Sequence, residues 1–405
     1  MEDAHRREWA AVLASTVRVT RDLDLAEECV QDAYADALDA WTRDGVPDRP
    51  GAWLTTAARH NALDALRRAR TLQAKLPLLI EPEEVFRSEA DEVEFRAAPI
   101  RDDRLRLVFL CCHPALAMEA QVALTLRLVC GVSTGDVARA FLVSEATMAA
   151  RITRAKKKIV TAHIPFRMPS SAELPDRLAA TLAVVYLLFT TGHTAPTGSA
   201  LARTDLAGRA LELARLLREL MPDEREAAGL LALIMANHAR RLGRSTPDGE
   251  LIRLEDQDRT GWDQAVIADA DALVVEAMRG GRPGRYALQA AIALLHACAP
   301  NYAETDWAQI VQLYDALLSE WPSPVVALNR AVAVSMVEGP EAALRQVDGL
   351  AECLARYRYL PAIRADLLSR LNRRHEAISA YKEALRLTDN GAEQRFLKSR
   401  IAELS

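Results

Sequence analysis

The sequence predicts an all-α protein, and three observations lead there. Ala, Leu, Arg and Glu dominate the 405 residues while aromatics make up 5%, which is the composition of strong helix formers. Between Leu23 and Trp41, "LDLAEECVQDAYADALDAW", the residues Ala26, Val30, Ala33, Ala37 and Trp41 recur at three- and four-residue steps, the spacing of one helical face. Two late stretches, "ALNRAVAVSMVEGPEAA" from Ala327 and "AIRADLLSRLNRRHEAI" from Ala362, align at an offset of 35 residues, as a stacked array of helix pairs would.

At roughly 150 residues per domain, two or three domains are expected. Hydrophobic residues are 50% and charged residues 26%, the balance of a folded, soluble chain. The most apolar stretch, Leu178 to Phe189, is shorter than the roughly 20 residues a bilayer span needs. The opening "MEDAHRREWAAVLAS" carries acids where a signal peptide has a basic start and an apolar core. A cytoplasmic location without membrane association is therefore expected.

The elements follow in order. Opposite the apolar face of the Leu23–Trp41 helix, Glu28, Asp32, Asp36 and Asp39 form an acidic stripe. "RDGVPDRPG" breaks that helix. A second one follows, "AWLTTAARHNALDALRRAR", with Trp53, Ala57, Asn61, Asp64 and Arg68 along one side. Its basic residues Arg59, Arg67, Arg68 and Arg70, with Lys75, face only Asp64 as an acid. Pro77 and Pro82 bracket an exit into an acidic connector; Glu81 to Asp103 holds nine acids and three arginines. Trp41 is expected in the core, and Trp53 leans the same way.

From Arg101 to Ile159 a second module is legible. Gly131 stops one helix, Ser133 caps "TGDVARAF", and Ser144 caps "EATMAARITRAKKK". Two short helices joined by "LVS", the second basic, describe a helix-turn-helix. Thr147, Arg151 and Arg154 fall at steps of four and three, so they share one face that a DNA major groove could admit. The basic end, Lys156 to Lys158, also complements the helix macrodipole, and a solvated helix end would look the same. "IPFRMPSSAELPDR" reads as a linker. The expected boundaries are 1–80 for the first module, 81–100 for the acidic linker, 101–163 for the helix-turn-helix module, 164–176 for a second linker and 177–405 for the helical repeats.

Chemistry of the chain's own is not expected. Six cysteines (Cys29, Cys111, Cys112, Cys130, Cys298, Cys353) are scattered without a disulfide framework and are expected as small buried hydrophobes. Cys111-Cys112-His113 raises a metal reading, but no second Cys/His pair stands at zinc spacing. His193, in "TTGHTAPTG", is a lone loop histidine with no base or nucleophile partner nearby. No phosphate loop, catalytic triad or paired carboxylate is found, so neither enzyme activity, metal nor cofactor is expected.

Taken together these motifs resemble the extracytoplasmic-function type of bacterial RNA polymerase sigma factor. "AEECVQDAYADALDAW" resembles the family's region 2.2, with Glu28, Gln31 and Asp32 at its acid, Gln and acid positions. "AWLTTAARHNALDALRR" resembles the next region, matching at Trp53-Leu54, Arg59, Asn61, Asp64, Arg67 and Arg68. "LRLVCGVSTGDVARAFLVSEATMAARITRAKKKI" is similar to region 4, with Gly131, Ser133, Asp136, Ala138, Thr147, Arg151 and Arg154-Ala155 in register. The chain departs from the pattern at Leu142, where the turn usually has Gly, at Ala146 and Ala149-Ala150, and at Gln121. The resemblance covers about the first 163 residues; the tail looks like the tetratricopeptide-like extension of one subgroup.

The resemblance implies two small helical sigma domains followed by a tetratricopeptide-like repeat domain. It implies that Glu28, Gln31, Asp32 and Asp36 dock on the clamp helices of the polymerase's largest subunit. Arg59, Asn61, Arg67, Arg68 and Arg70 would contact promoter DNA near the start site, with base capture by the "RDGVPDRPG" loop. Ser144, Glu145, Thr147, Arg151, Arg154 and Lys157 would form the upstream reading surface. Double-stranded and melted promoter DNA and core polymerase are the implied partners, and a repeat array suggests a further protein partner. The tail is expected to regulate initiation in cis. A stand-alone helix-turn-helix regulator with a ligand- or protein-sensing tail is the rival, and a protein-binding repeat scaffold is a second.

Overall fold

The computed structural model describes residues 2–75, 100–141, 143–195, 197–198 and 201–405. The acidic linker expected at 81–100 lies outside them apart from Ile100, as do Pro77, Pro82 and the turn residue Leu142. The described chain is helix after helix, as expected. Two compact units divide it, residues 1–184 and 185–405.

The first unit opens with α1 (Glu2–Thr20), α2 (Leu23–Asp44) and α3 (Pro50–Lys75). Asp22 caps α2, its carboxylate accepting from Asp24 N at 2.8 Å and Leu25 N at 3.0 Å, a cap worth about 1 kcal/mol. Gly45 ends α2 with φ at 84°, left-handed backbone that favours glycine. All five residues of the expected apolar face, Ala26, Val30, Ala33, Ala37 and Trp41, are buried. They pack with Leu54, Ala58 and Ala62 of α3, also buried. Trp53 meets Trp41 edge-on at 5.7 Å, so both tryptophans belong to the packing.

Next come α4 (Ile100–Cys111), α5 (Met118–Leu124), a π-helical turn (Thr125–Val129), α6 (Thr134–Ala140) and α7 (Glu145–Thr161). Gly131 follows the π turn with φ at 65°, and a Cβ there would press on Trp9 of α1 at 3.0 Å. Ser133 Oγ accepts from Asp136 N at 3.1 Å and Ser144 Oγ from Thr147 N at 3.2 Å, the two expected caps. Met148, Ile152, Ala155 and Ile159 bury one face of α7. The helix α8 (Leu174–His193) begins in this unit and crosses the division at Val184. Arg177 donates to Phe109 O, and Cys112 Sγ lies 3.4 Å from Thr125 Oγ1.

At 20 residues α8 is longer than the apolar stretch seen in the sequence, and by length and composition it could cross a membrane. It buries Leu182, Val184, Val185, Leu188 and Phe189, as a core helix does. The expected burial of cysteines holds for Cys29, Cys111 and Cys112; Cys298 and Cys353 are exposed. Cys298 is the last residue of its helix and Cys353 sits in a turn, where little packs over a side chain.

The second unit continues with α9 (Thr204–Leu220), α10 (Arg225–Ala239), α11 (Gln264–Met278), α12 (Arg285–Cys298) and α13 (Trp307–Glu320). Gly229 lets α10 approach α12, for a Cβ there would stand 2.6 Å from Ala287 N. The array then runs α14 (Pro324–Val337), α15 (Pro340–Asp348), α16 (Tyr359–Arg370), α17 (Arg374–Leu387) and α18 (Gly391–Leu404). The two aligned stretches become the pairs α14–α15 and α16–α17, each pair packed together. Arg370 donates to Ser335 Oγ at 2.8 Å, 35 positions earlier, so equivalent helices of successive pairs are bonded directly. Arg330 of α14 pairs with Asp315 of α13 at 2.6 Å, and Arg364 of α16 pairs with Asp348 of α15 at 2.8 Å. A two-residue parallel pairing, Thr197–Gly198 with Asp389–Asn390, is the one sheet among the described residues.

Candidate nucleic-acid and partner interface

Two surfaces of the first unit carry the residues singled out in the sequence. On α2, Glu28, Gln31, Asp32 and Asp36 are all exposed. The reason is the 3.6-residue period: burying Ala26, Val30, Ala33 and Ala37 turns these four to the opposite face. On α3, Arg59, Arg67, Arg68 and Arg70 are exposed. Arg67 is held by Asp64 at 3.0 Å. Asn61 is placed differently, half-buried with its amide donating to Cys29 O at 3.3 Å. It ties α3 to α2.

On α7, Ser144, Glu145, Thr147, Arg154 and Lys157 are exposed and Arg151 is half-buried. The Thr147 hydroxyl lies 2.8 Å from Ser144 Oγ, which fixes both at the helix start. Arg154 Nε donates to Ala150 O at 3.2 Å. Arg151, Arg154 and Lys157 continue along one side of a helix whose other side is core. An exposed cationic edge on the second helix of a helix-turn-helix can follow a phosphate backbone and offer Arg to base edges.

The remaining lysine of the basic run does something else. Lys156 is buried, and its Nζ lies 2.6 Å from Asp24 and 2.5 Å from Glu27, both on α2. Burial alone would lower the Lys156 pKa, but hydrogen bonds and charge from Asp24 and Glu27 outweigh it and hold the pKa above 10.5. Glu27 is also bound by Arg127 at 2.6 Å. Nearby, Trp9 Nε1 donates to Leu128 O at 3.0 Å, with the Arg127 guanidinium 5.8 Å from the Trp9 ring centroid.

The two helical modules thus share a buried polar seam. Glu28 and Gln31 line a crevice of about 290 Å³ beside it, together with Ala149, Thr153 and Lys156. Sequence reasoning named neither Glu27 nor the role of Lys156. A signal was present: Glu27 stands between Ala26 and Val30, at the edge of the apolar stripe, where an acid needs a partner. No group of three metal-ligating side chains occurs among the described residues.

The comparisons with known proteins agree with this layout. Residues 5–71 match sigma-70 region 2, and residues 106–159 match sigma-70, region 4. Residues 177–278 match a family of unknown function, DUF6596. A protein of Rhizobium meliloti (strain 1021), described as uncharacterized protein R00370, is 44% identical over 399 residues, covering 97% of this chain and 93% of its own. A solved structure, that of yeast Tom70, is similar at a TM-score of 0.38 and 15% identity, covering 96% of this chain and 81% of the other; at that distance neither fold nor function transfers. With region 2 and region 4 in order and a further helical domain behind them, the chain belongs to the sigma-70 family, as an extracytoplasmic-function-like sigma factor with a C-terminal extension.

Proposed function

We propose that this sigma factor directs core RNA polymerase to a set of promoters and that its C-terminal unit adjusts initiation in cis. The observation that supports the reading best is the pair of charged surfaces: an exposed acidic face on α2 and an exposed cationic edge on α7. Glu28, Gln31, Asp32 and Asp36 dock on a basic element of the polymerase, the clamp helices of its largest subunit. The α3 cations Arg59, Arg67, Arg68 and Arg70 hold the promoter near its start site. Thr147, Arg151 and Arg154 read the upstream element while Lys157 anchors phosphate. Working beside the polymerase places the protein in the cytoplasm.

The cis role draws support from continuity of the chain: the tail follows the region-4 module directly, and the division between the units falls within α8. The test leaves the first unit untouched. Gly229→Leu forces a side chain onto the α12 backbone and loosens the tail from within. Run-off transcription with purified core should then differ from wild type at one or more promoters, with tail loosening verified by limited proteolysis. Equal yields at every promoter would make the tail a bystander.

A further inference from the structure

The second unit holds a cavity that none of these roles uses. It has a volume of about 480 Å³ and lies between the end of α8, the first turn of α9, the end of α10 and the turns from Arg241 to Gly249. Its shape depends on Gly192. A Cβ there would collide with Ala207 N, so only glycine lets α9 start directly against α8, with Arg203 N bonded to Gly192 O at 2.7 Å. The N-cap residue of α9, Arg203, makes no side-chain cap bond to the helix, and Thr204 of its first turn lines the cavity. That end of a 17-residue helix carries partial positive charge, and its first N–H groups have no partner within the helix.

Among the described residues, the lining carries two arginines and no carboxylate. His193, His238, Arg241 and Arg244 converge on the cavity, and Arg240 and Arg259 lie behind it, both stacked on Trp262. Among the described residues no carboxylate stands within ion-pair distance of these four arginines. Burial, with other cations beside Arg240, pushes Arg240 and Arg244 down to about 10. Arg244 is fixed in place by donating to His193 O and, at 3.1 Å, to Thr194 Oγ1. The His193 ring is largely buried, and burial together with Arg244, Arg240 and His238 holds it well below 6.5, so it is neutral. It rests on Phe189 at 5.1 Å, and no described group hydrogen-bonds it. Buried cations without an anion are unfavourable, and a helix N-terminus adds to the same field.

Thr204, Ser245 and Thr246 add hydroxyls, and Phe189, Leu201, Ala207 and Leu242 supply an apolar wall. Leu242 is 74% exposed at the rim. The volume falls within the range of about 300–1,000 Å³ typical of small-molecule sites. We propose that this cavity binds a small organic anion, its carboxylate or phosphate head set against Arg241, Arg244 and the first turn of α9, and its apolar body against Phe189, Leu201 and Leu242. The site makes the tail a sensor of a metabolite of that class, and the binding needs neither polymerase nor DNA.

The full-length chain provides the test, with the aromatic sulfonate 8-anilinonaphthalene-1-sulfonate as probe. Its fluorescence should saturate. Arg241→Glu should weaken it about tenfold, and Ala207→Phe, which fills the cavity, should abolish the site. Octanoate and phenyl phosphate should displace the probe where octanol at the same concentration does not; the better of the two identifies the head group. Arg241 is exposed and its Nη1 donates only to His238 O, at 3.1 Å, so the Glu variant keeps the fold and decides alone if Ala207→Phe unfolds by circular dichroism. Fluorescence unchanged in Arg241→Glu, or octanol displacing as well as octanoate, overturns the proposal.

Discussion

Lys156 and Glu27, 129 positions apart in sequence, form a buried ion pair at 2.5 Å that fastens the second helix of the helix-turn-helix to α2. Glu27 also forms an ion pair with Arg127, and Asp24 adds a second carboxylate to Lys156. The seam explains why two modules that carry separate family signatures form one compact unit.

Breaking this pair from one side leaves a buried charge without its partner. Glu27→Leu leaves Arg127 without its carboxylate and Lys156 with only the exposed Asp24, and we expect a loss of about 3 kcal/mol in urea unfolding. The double variant Glu27→Leu/Lys156→Met should recover part of it, giving a coupling energy of about 0.5–3 kcal/mol in the cycle. Additive losses would make the two residues independent.

The same pair sets an alkaline limit. The native pKa of Lys156 is raised above 10.5, so the folded state favours its proton more than the unfolded chain does. The stabilisation is fully present below the unfolded value and disappears as pH rises through the native one. Between about pH 9 and about pH 12 the wild type should therefore lose more unfolding free energy than Lys156→Met, in which the tyrosines titrate alike. Equal slopes would contradict the raised pKa.

For the α2 surface, Glu28→Lys with Asp32→Lys inverts charge on an exposed face while nearly preserving helix propensity. Core-polymerase binding should fall at least about tenfold, or about 1.4 kcal/mol, in co-sedimentation at several salt concentrations. A folded double variant that binds core normally removes this face from the interface.

Reading and anchoring separate on α7. Arg151→Ala should cost about 1–3 kcal/mol and relax preference at one or two upstream positions. Lys157→Ala should weaken all sequences alike and lower the salt slope by about one. A library randomised in the upstream element, transcribed by each variant, distinguishes them; equal shifts without a change of preference make Arg151 an anchor.

Local physics accounts for what was legible beforehand. The apolar face from Ala26 to Trp41, the caps at Ser133 and Ser144 and the two late repeats are all written within a few turns of chain. Lys156 was not legible as a seam residue, because among Arg154, Lys157 and Lys158 it looks like one more solvated cation, and its partners lie on a distant helix. Asn61 shares a face with the α3 cations by spacing, yet a bond to Cys29 O engages its amide. His193 reads as a loop residue beside "APTG" but ends α8 and is enclosed by α9, whose approach is decided by the missing side chain of Gly192.

The pairs Arg330–Asp315 and Arg364–Asp348 join successive repeats in the same way, Arg on the first helix of one pair and Asp on the second helix of the pair before. The two bonds stand about one repeat length apart, at equivalent points of successive pairs. Each hairpin is thereby tied to the one before it, α12–α13 included through Asp315, so strain on one pair is handed to its neighbour and the stack yields as a whole rather than one hairpin at a time.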